Sequence, residues 1–330
     1  MAEIVMGIAS PNSPMMCMDG SIWEARGAGD RRNTHLVDTE GNHCTYDDLV
    51  KKNGERFAAL ARTEHLQQQA AACVKALDRE AAELAEARPD LVLLVSHDNN
   101  DLFSSHNQPV VCVYYGEKMV SQVAKQAADA PEWQKAVARG QGQDRHHEYP
   151  VASDFARELI VKLMAQKCDA ASAGELTNPD ERAFGYTFSF PAERLLGGGK
   201  YPVVPVLLNA LFPPNQPTPR RCFEIGQAFR RAIEESAPGK RVAVLCSVGM
   251  SHFVVNEELD RKVLDGIRNN DTASLCSLPP KLLSGPNGQI RDLLVTAGIM
   301  EGRRVLWSEY IPVYRTPAGT GVGVGFVRWA

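Results

Sequence analysis

The stretch Val242–Asp260, VAVLCSVGMSHFVVNEELD, decides the fold. Its first residues, Val242 to Cys246, form an apolar, β-branched run with the length and composition of a buried strand. Gly249 then gives the backbone freedom to turn, and from Glu257 the chain takes on helical character with Asn256 as its N-cap. Strand, turn and helix in succession are the working unit of an α/β protein. His252 falls where the strand ends, and open α/β sheets bind ligands in the crevice beyond the carboxyl ends of their strands. An imidazole there can be a general acid or base near neutral pH, or a hydrogen-bonded structural group.

The same alternation extends in both directions. Ile4–Ala9 reads as a buried strand that breaks into Ser10-Pro11-Asn12-Ser13-Pro14, where two prolines impose a rigid loop. Leu91–Val95 is a second strand, ending in the polar run Ser96-His97-Asp98-Asn99-Asn100-Asp101, and Val110–Tyr115, Val203–Leu208 and Val305–Tyr314 are further strands. Thr45 caps a helix over YDDLVKKN, and Thr63–Ala87 is a long amphipathic helix with Leu66, Ala70, Cys73, Val74 and Leu77 on its core stripe. Helices are also expected over Val151–Lys167, Pro219–Ser236, Asn256–Arg268 and Asp292–Ala297. The expected architecture is α/β, a mixed central sheet flanked by helices. With no internal repeat, low-complexity tract or linker, residues 1–330 read as a single domain, in which 19–62, charged and glycine-bearing around a small hairpin, form an insertion or lid. GTGVGVGF at Gly319–Phe326 alternates glycine as nucleotide loops do, but no helix follows to hold a phosphate, so it reads as a closing strand.

A chain of 330 residues, 44% hydrophobic, buries a sizeable core. The formal net charge of -4, with both signs scattered, lacks the basic stripe that nucleic acid requires and points to neither nucleic acid nor membrane as partner. Eight cysteines stand singly with no CxxC pair and read as reduced core residues. The N-terminus has no signal-peptide pattern and no apolar window is long enough to span a bilayer, so the cytoplasm is the expected compartment. The histidines at 35 and 43 and the adjacent pair at 146 and 147 read as solvated loop residues.

Taken in order, the SPNSP loop, SHDNND followed by NQPVVCVYYGE, the VPVLLN strand with its proline loop, and VLCSVGMSHFVVNEELD resemble the class III extradiol ring-cleavage dioxygenases, the protocatechuate 4,5-dioxygenase catalytic subunit and its gallate and methylgallate relatives. The resemblance covers most of the chain. It implies a site where two histidines and a glutamate hold iron(II), and where a histidine in the GMSH motif serves as acid/base toward the ring hydroxyl and dioxygen. On that pattern His252 matches the acid/base histidine and Glu258 the iron-binding glutamate. The two iron histidines fall on Asn12 and on Asn99 or Asn100, and a further active-site histidine falls on Arg182. An amide oxygen is a weak iron(II) donor compared with imidazole, and His97, two residues before Asn99, is the one histidine that could restore a ligand.

Three readings follow. In the first, the pocket needs no cofactor: His252 and Glu258 are the catalytic pair, and Asn12, Asn99, Asn100, Arg182 and His97 bind the substrate. That substrate is a small-molecule phenolic or ring-derived carboxylic acid, anchored by Arg182 and cleaved by hydrolysis, hydration or C–C scission. In the second, the protein is an iron(II)-dependent extradiol dioxygenase with rearranged ligands, His97 among them. In the third, it is the non-catalytic partner subunit of a dioxygenase. A homo-oligomer is compatible with each.

Overall fold

The computed structural model describes residues 1–127 and 129–330, the side chain of residue 25 excepted. In chain order, β1 (Glu3–Pro11) is followed by α1 (Trp23–Asp30), the small hairpin β2 (Leu36–Val37) and β3 (His43–Cys44), α2 (Tyr46–Asn53) and the long α3 (Thr63–Ala87). Strands β4 (Leu91–His97), β5 (Val111–Tyr114) and β6 (Lys118–Val120) lead through α4 (Glu132–Gly140) to β7 (Glu148–Pro150), α5 (Ser153–Ala165) and β8 (Ala171–Ala173). Then come α6 (Tyr186–Arg194), β9 (Val203–Leu208), α7 (Pro219–Glu234), β10 (Arg241–Val248), β11 (His252–Val254), α8 (Glu257–Arg268) and α9 (Thr272–Cys276). Helix α10 (Ile290–Ile299) and the hairpin of β12 (Val305–Tyr314) and β13 (Thr320–Trp329) end the chain.

Among the described residues the main sheet has nine strands in the order β11-β13-β1-β10-β4-β9-β5-β8, with β12 paired to β13. The four at its centre, β1, β10, β4 and β9, run parallel, and antiparallel pairing begins at β13 on one side and β5 on the other. Parallel strands covered on both faces are apolar at every position, which is why they read as unbroken runs. On one face Leu93, Val95, Val242 and Val244 pack against α5, α7, α8 and α10. On the other, Leu94, Ala243 and Leu245 meet α1, α3 and α6. The parallel strands all point their carboxyl ends to one edge, delivering Asn12, Asp98, Asn209 and Gly249 there.

Local chemistry sets the helix ends. Thr45 and Asp48 form a capping box on α2, and the Asn256 side chain accepts from the Leu259 amide at the start of α8. The α3 stripe keeps Leu66, Ala70, Cys73 and Leu77 buried, while Val74 is exposed, being a full 100° round the helix from Cys73. Sequence periodicity did not announce α1, α4, α6 or the β6–β7 ribbon. These elements are short, and α6 carries an internal proline at Pro191. Within 19–62, the Thr39 carbonyl accepts from Asn256 Nδ2, Asn53 Nδ2 donates to the Ala318 carbonyl, and the Phe57 ring stacks on Tyr314 at 4.3 Å. The segment therefore packs over the β11–β13 edge.

The glycine alternation near the C-terminus has a packing cause. Gly321, Gly323 and Gly325 of β13 point to one side, as alternate strand residues do, and a β-carbon at Gly323 would overlap the Asp260 carboxylate. The missing side chain lets α8 and the turn after β10 rest directly on the strand. Gly323→Ala is therefore expected to lower the unfolding free energy by about 1–3 kcal/mol through overpacking, read as a lower denaturant midpoint at unchanged m-value. An unaltered midpoint would show that α8 does not need this bare strand.

Candidate active site

A cavity of about 130 Å³ opens at the carboxyl edge of the parallel strands, lined by Asn12, Arg26, Tyr186, His252, Gln289 and Arg315 among others. Each comes from a different part of the fold. Asn12 follows β1, Arg26 lies on α1, Tyr186 opens α6, Gln289 precedes α10, and Arg315 follows β12. His252 does not simply end a strand: β10 stops at Val248, the chain turns through Gly249–Ser251, and His252 begins β11, pairing with Val322 of β13. Gly249 has no positive φ, so freedom to turn is not what it supplies. A β-carbon there would stand 2.5 Å from Gln289 Oε1, so glycine is needed for close approach.

Three contacts fix the turn. Asp260 on α8 accepts from the Ser251 amide at 2.9 Å, from Ser251 Oγ at 2.6 Å and from the Tyr310 hydroxyl at 2.7 Å. Ser251 Oγ in turn accepts from the Asn256 amide, and the Ser251 carbonyl from Gly323 N. Burial pushes the Asp260 carboxyl up to about 6, against the pull of Ser251 and Tyr310 toward the ionised form.

The protonation pattern of His252 follows from its partners. Its Nδ1 stands 2.8 Å from the Met250 carbonyl, which can only accept, so Nδ1 carries the proton. Gln289 Oε1 accepts from Gly249 N at 2.9 Å, which turns its amide nitrogen toward His252 Nε2 at 3.2 Å. Nε2 therefore holds the lone pair, which accepts from the Gln289 amide at the cavity wall. Burial, helped by the charge of Arg315 and by His97 and opposed by the Met250 hydrogen bond, holds the imidazole down at about 4, so it is neutral at physiological pH.

Other residues singled out from the sequence fall differently. Asn12 lines the cavity, buried, with its Nδ2 lacking a partner among the described residues. Asn99 is half-buried, its side chain against the Tyr186 hydroxyl. Glu258, expected beside His252, is exposed and does not line the cavity. Asp260, two residues on, is the buried acid of α8. Arg182, expected as a carboxylate anchor, is exposed, and its Nη1 donates to the carbonyls of Asn100 and Phe103. It braces a loop. Asn100 is exposed with φ +67 and meets that arginine rather than the cavity. His97 is the last residue of β4 and fully buried, with Nδ1 2.6 Å from Asp292 Oδ2, so it neither lines the cavity nor shares a strand face with Asn99.

Gln289, Tyr186 and Arg26 were not legible as site residues. Tyr186 adjoins a second buried acid, Asp101, whose carboxyl is pushed up to about 7 by burial and by Asp98. The iron(II) implied by the resemblance requires a cluster of anionic or imidazole donors. Around His252 stand the amides of Asn12 and Gln289 and the cations of Arg26 and Arg315. Among the described residues no group of three or more His, Cys, Asp or Glu side chains is placed to hold a metal. This donor set does not fit iron(II).

The comparisons with known proteins agree with the fold. Residues 60–325 match the family described as the catalytic LigB subunit of aromatic ring-opening dioxygenase. The chain is similar to gallate dioxygenase of Pseudomonas putida, 39% identical over 75 residues, which are 21% of this chain and 22% of that protein. It is also similar to two enzymes named 2,3-dihydroxyphenylpropionate/2,3-dihydroxicinnamic acid 1,2-dioxygenase. That of Azotobacter vinelandii is 26% identical over 178 residues, 53% of this chain and 48% of the relative. That of Cupriavidus necator is 35% identical over 118 residues, 36% of this chain and 35% of the relative. The chain thus matches half or less of the length of each of these relatives. With four-fifths of its residues inside one family match and a mixed α/β sheet to go with it, the chain belongs to the family of the catalytic subunit of aromatic ring-opening dioxygenases.

Proposed function

We propose that this protein is an enzyme of aromatic-compound breakdown that acts on a phenolic or ring-derived carboxylic acid by metal-independent acid/base chemistry at His252. The reaction class is hydrolysis, hydration or C–C cleavage. The observation that carries this reading is the fixed tautomer of His252, a neutral imidazole at a cavity lined by amides and cations, whose Nε2 accepts from the Gln289 amide. The names of the relatives support the substrate class, since gallate and 2,3-dihydroxyphenylpropionate are both phenolic carboxylates. A cavity of about 130 Å³ suits one ring, close to the ~150 Å³ that holds benzene in an engineered core.

In this reading Nε2 takes a proton from a ring hydroxyl or a water while Nδ1–H stays on the Met250 carbonyl, which orients the imidazolium and shares its charge. The Gln289 amide donates to Nε2, so Nε2 takes the proton as that hydrogen bond gives way to the substrate, and its re-formation returns the proton to the departing atom. Asn12 Nδ2 and the Tyr186 hydroxyl are donors for oxygen charge developing on the ring. The family's name favours a second reading, iron(II)-dependent ring opening with His97 as a ligand. It would require His97 Nε2, which has no partner among the described residues, to reach the cavity while Nδ1 stays on Asp292.

Two outcomes are expected. His252→Ala should lower turnover about 10²- to 10⁴-fold with little change in stability, on a substrate found by screening ring-derived acids. Because the base form is lost as pH falls and the imidazole sits at about 4, kcat/KM should hold from pH 6.5 downward and fall only toward 4. An acid limb at the ordinary histidine value would mean that His252 is either solvated or not the base. The second outcome concerns metal: protein treated with a chelator and assayed under nitrogen should keep its turnover, and protein purified without a metal-binding tag should lack stoichiometric iron. Oxygen uptake dependent on added iron(II) and lost in His97→Ala would establish the second reading instead.

A further inference from the structure

Arg26 is a charge without a counter-charge. It lies half-buried on α1 and lines the His252 cavity, and among the described residues no hydrogen bond or ion pair engages its guanidinium. The acid within reach, Asp30, one turn along the same helix, is already committed. Both its oxygens accept from Arg315, at 2.9 and 3.0 Å, and Oδ2 also accepts from Thr320 Oγ1 at 2.8 Å. Burial and the nearby Arg315 weaken Arg26's hold on its proton more than Asp30 and Tyr186 restore it, as befits a partly desolvated cation. Among the described residues no carboxylate lines the cavity, and Asn12 contributes a buried donor, Nδ2, with no acceptor. Unpaired donors around a partly desolvated cation form a place for an anion.

The geometry points to Arg26 as the residue that selects a carboxylate on the ligand, pairing bidentately with it while the ring occupies the space between Tyr186 and His252. This rests on the cavity being the site of a ring-derived acid, and it assigns to Arg26 the anchoring role that Arg182, spent on two loop carbonyls, does not fill. The arginine also lines an outer groove of about 280 Å³ with Lys125 and Trp133, so it stands where the inner cavity meets the surface. A carboxylate at that neck would leave the opposite side of the ring facing Nε2.

The test is calorimetric binding to the full-length chain of two single-ring probes, 3,4-dihydroxybenzoate and catechol, which differ by the carboxylate alone. Wild type should prefer the acid by about 10- to 100-fold, the range of hydrogen bonds to a charged group. Arg26→Met should abolish that preference with catechol affinity unchanged, and Arg26→Lys, a point charge without the fork, should keep only part of it. Catechol binding by Arg26→Met reports that the variant is folded. If it does not fold, Arg26→Lys decides, since an undiminished preference there removes the bidentate pairing. Equal affinity for both probes in wild type, no binding of either, or a preference that survives Arg26→Met would overturn the proposal. His252→Ala separates the two readings. If that variant turns over substrate normally while acid preference still follows Arg26, the chemistry proposed for His252 fails and the anchor stands.

Discussion

A carboxyl group closed off from solvent, that of Asp260, sets the geometry of the cavity. It gathers the amide and hydroxyl of Ser251 and the hydroxyl of Tyr310 into one point, and so joins α8, β12 and the turn that presents His252. Charge-assisted hydrogen bonds of this kind contribute about 1.5–3 kcal/mol each. Yet the group still titrates above the ordinary carboxylate range, which means that the cost of burial exceeds what the donors return to the ionised form. Such an arrangement is a poor way to gain stability and a good way to fix a turn, because donors from the turn and from β12 converge on α8 and satisfy the acid only in one geometry. The bare face of β13 is part of the same device, since any side chain at Gly323 would hold Asp260 away from the turn.

What the turn presents is a neutral imidazole held in one tautomer. Around His252 the lining side chains are neutral or positive, and each ring nitrogen has one partner, a carbonyl that can only accept and an amide fixed from its other end by Gly249. An imidazole bound this way cannot rotate or switch tautomer without breaking two bonds. The scaffold is that of the ring-opening dioxygenases, whereas the polar lining is one of amides and guanidinium groups. Scaffold and lining are separable properties of a fold, and it is the lining that determines chemistry.

Most of the fold was legible because its evidence is local. The parallel strands are unbroken apolar runs, α3 follows its expected limits of Thr63 and Ala87, and the caps at Thr45 and Asn256 are single-residue signals. The site was legible only where a motif carries it. His252 stood out within GMSH and Asn12 within the proline loop, but Gln289 and Tyr186 reach the cavity from the starts of helices far along the chain, and nothing local marks them. The choice of Glu258 over Asp260 shows the limit. On α8 the buried residues are Asp260, Val263, Leu264 and Ile267, and position 258, two residues from the first of these, lies about 200° round the helix on the solvent side. Arg182 misled because a guanidinium can serve two backbone carbonyls as well as one carboxylate, a distinction that composition does not carry.

The family match begins at residue 60, and two of the cavity's walls lie before it: Asn12 at the end of β1 and Arg26 on α1. The wall that carries His252 and Gln289 therefore lies within the matched residues, while Asn12, directly after the central strand β1, and Arg26 lie ahead of them. Proteins compared with this chain over the matched residues alone are compared without Asn12 and Arg26. A comparison that is to include the whole cavity wall has to begin within the first thirty residues of the chain.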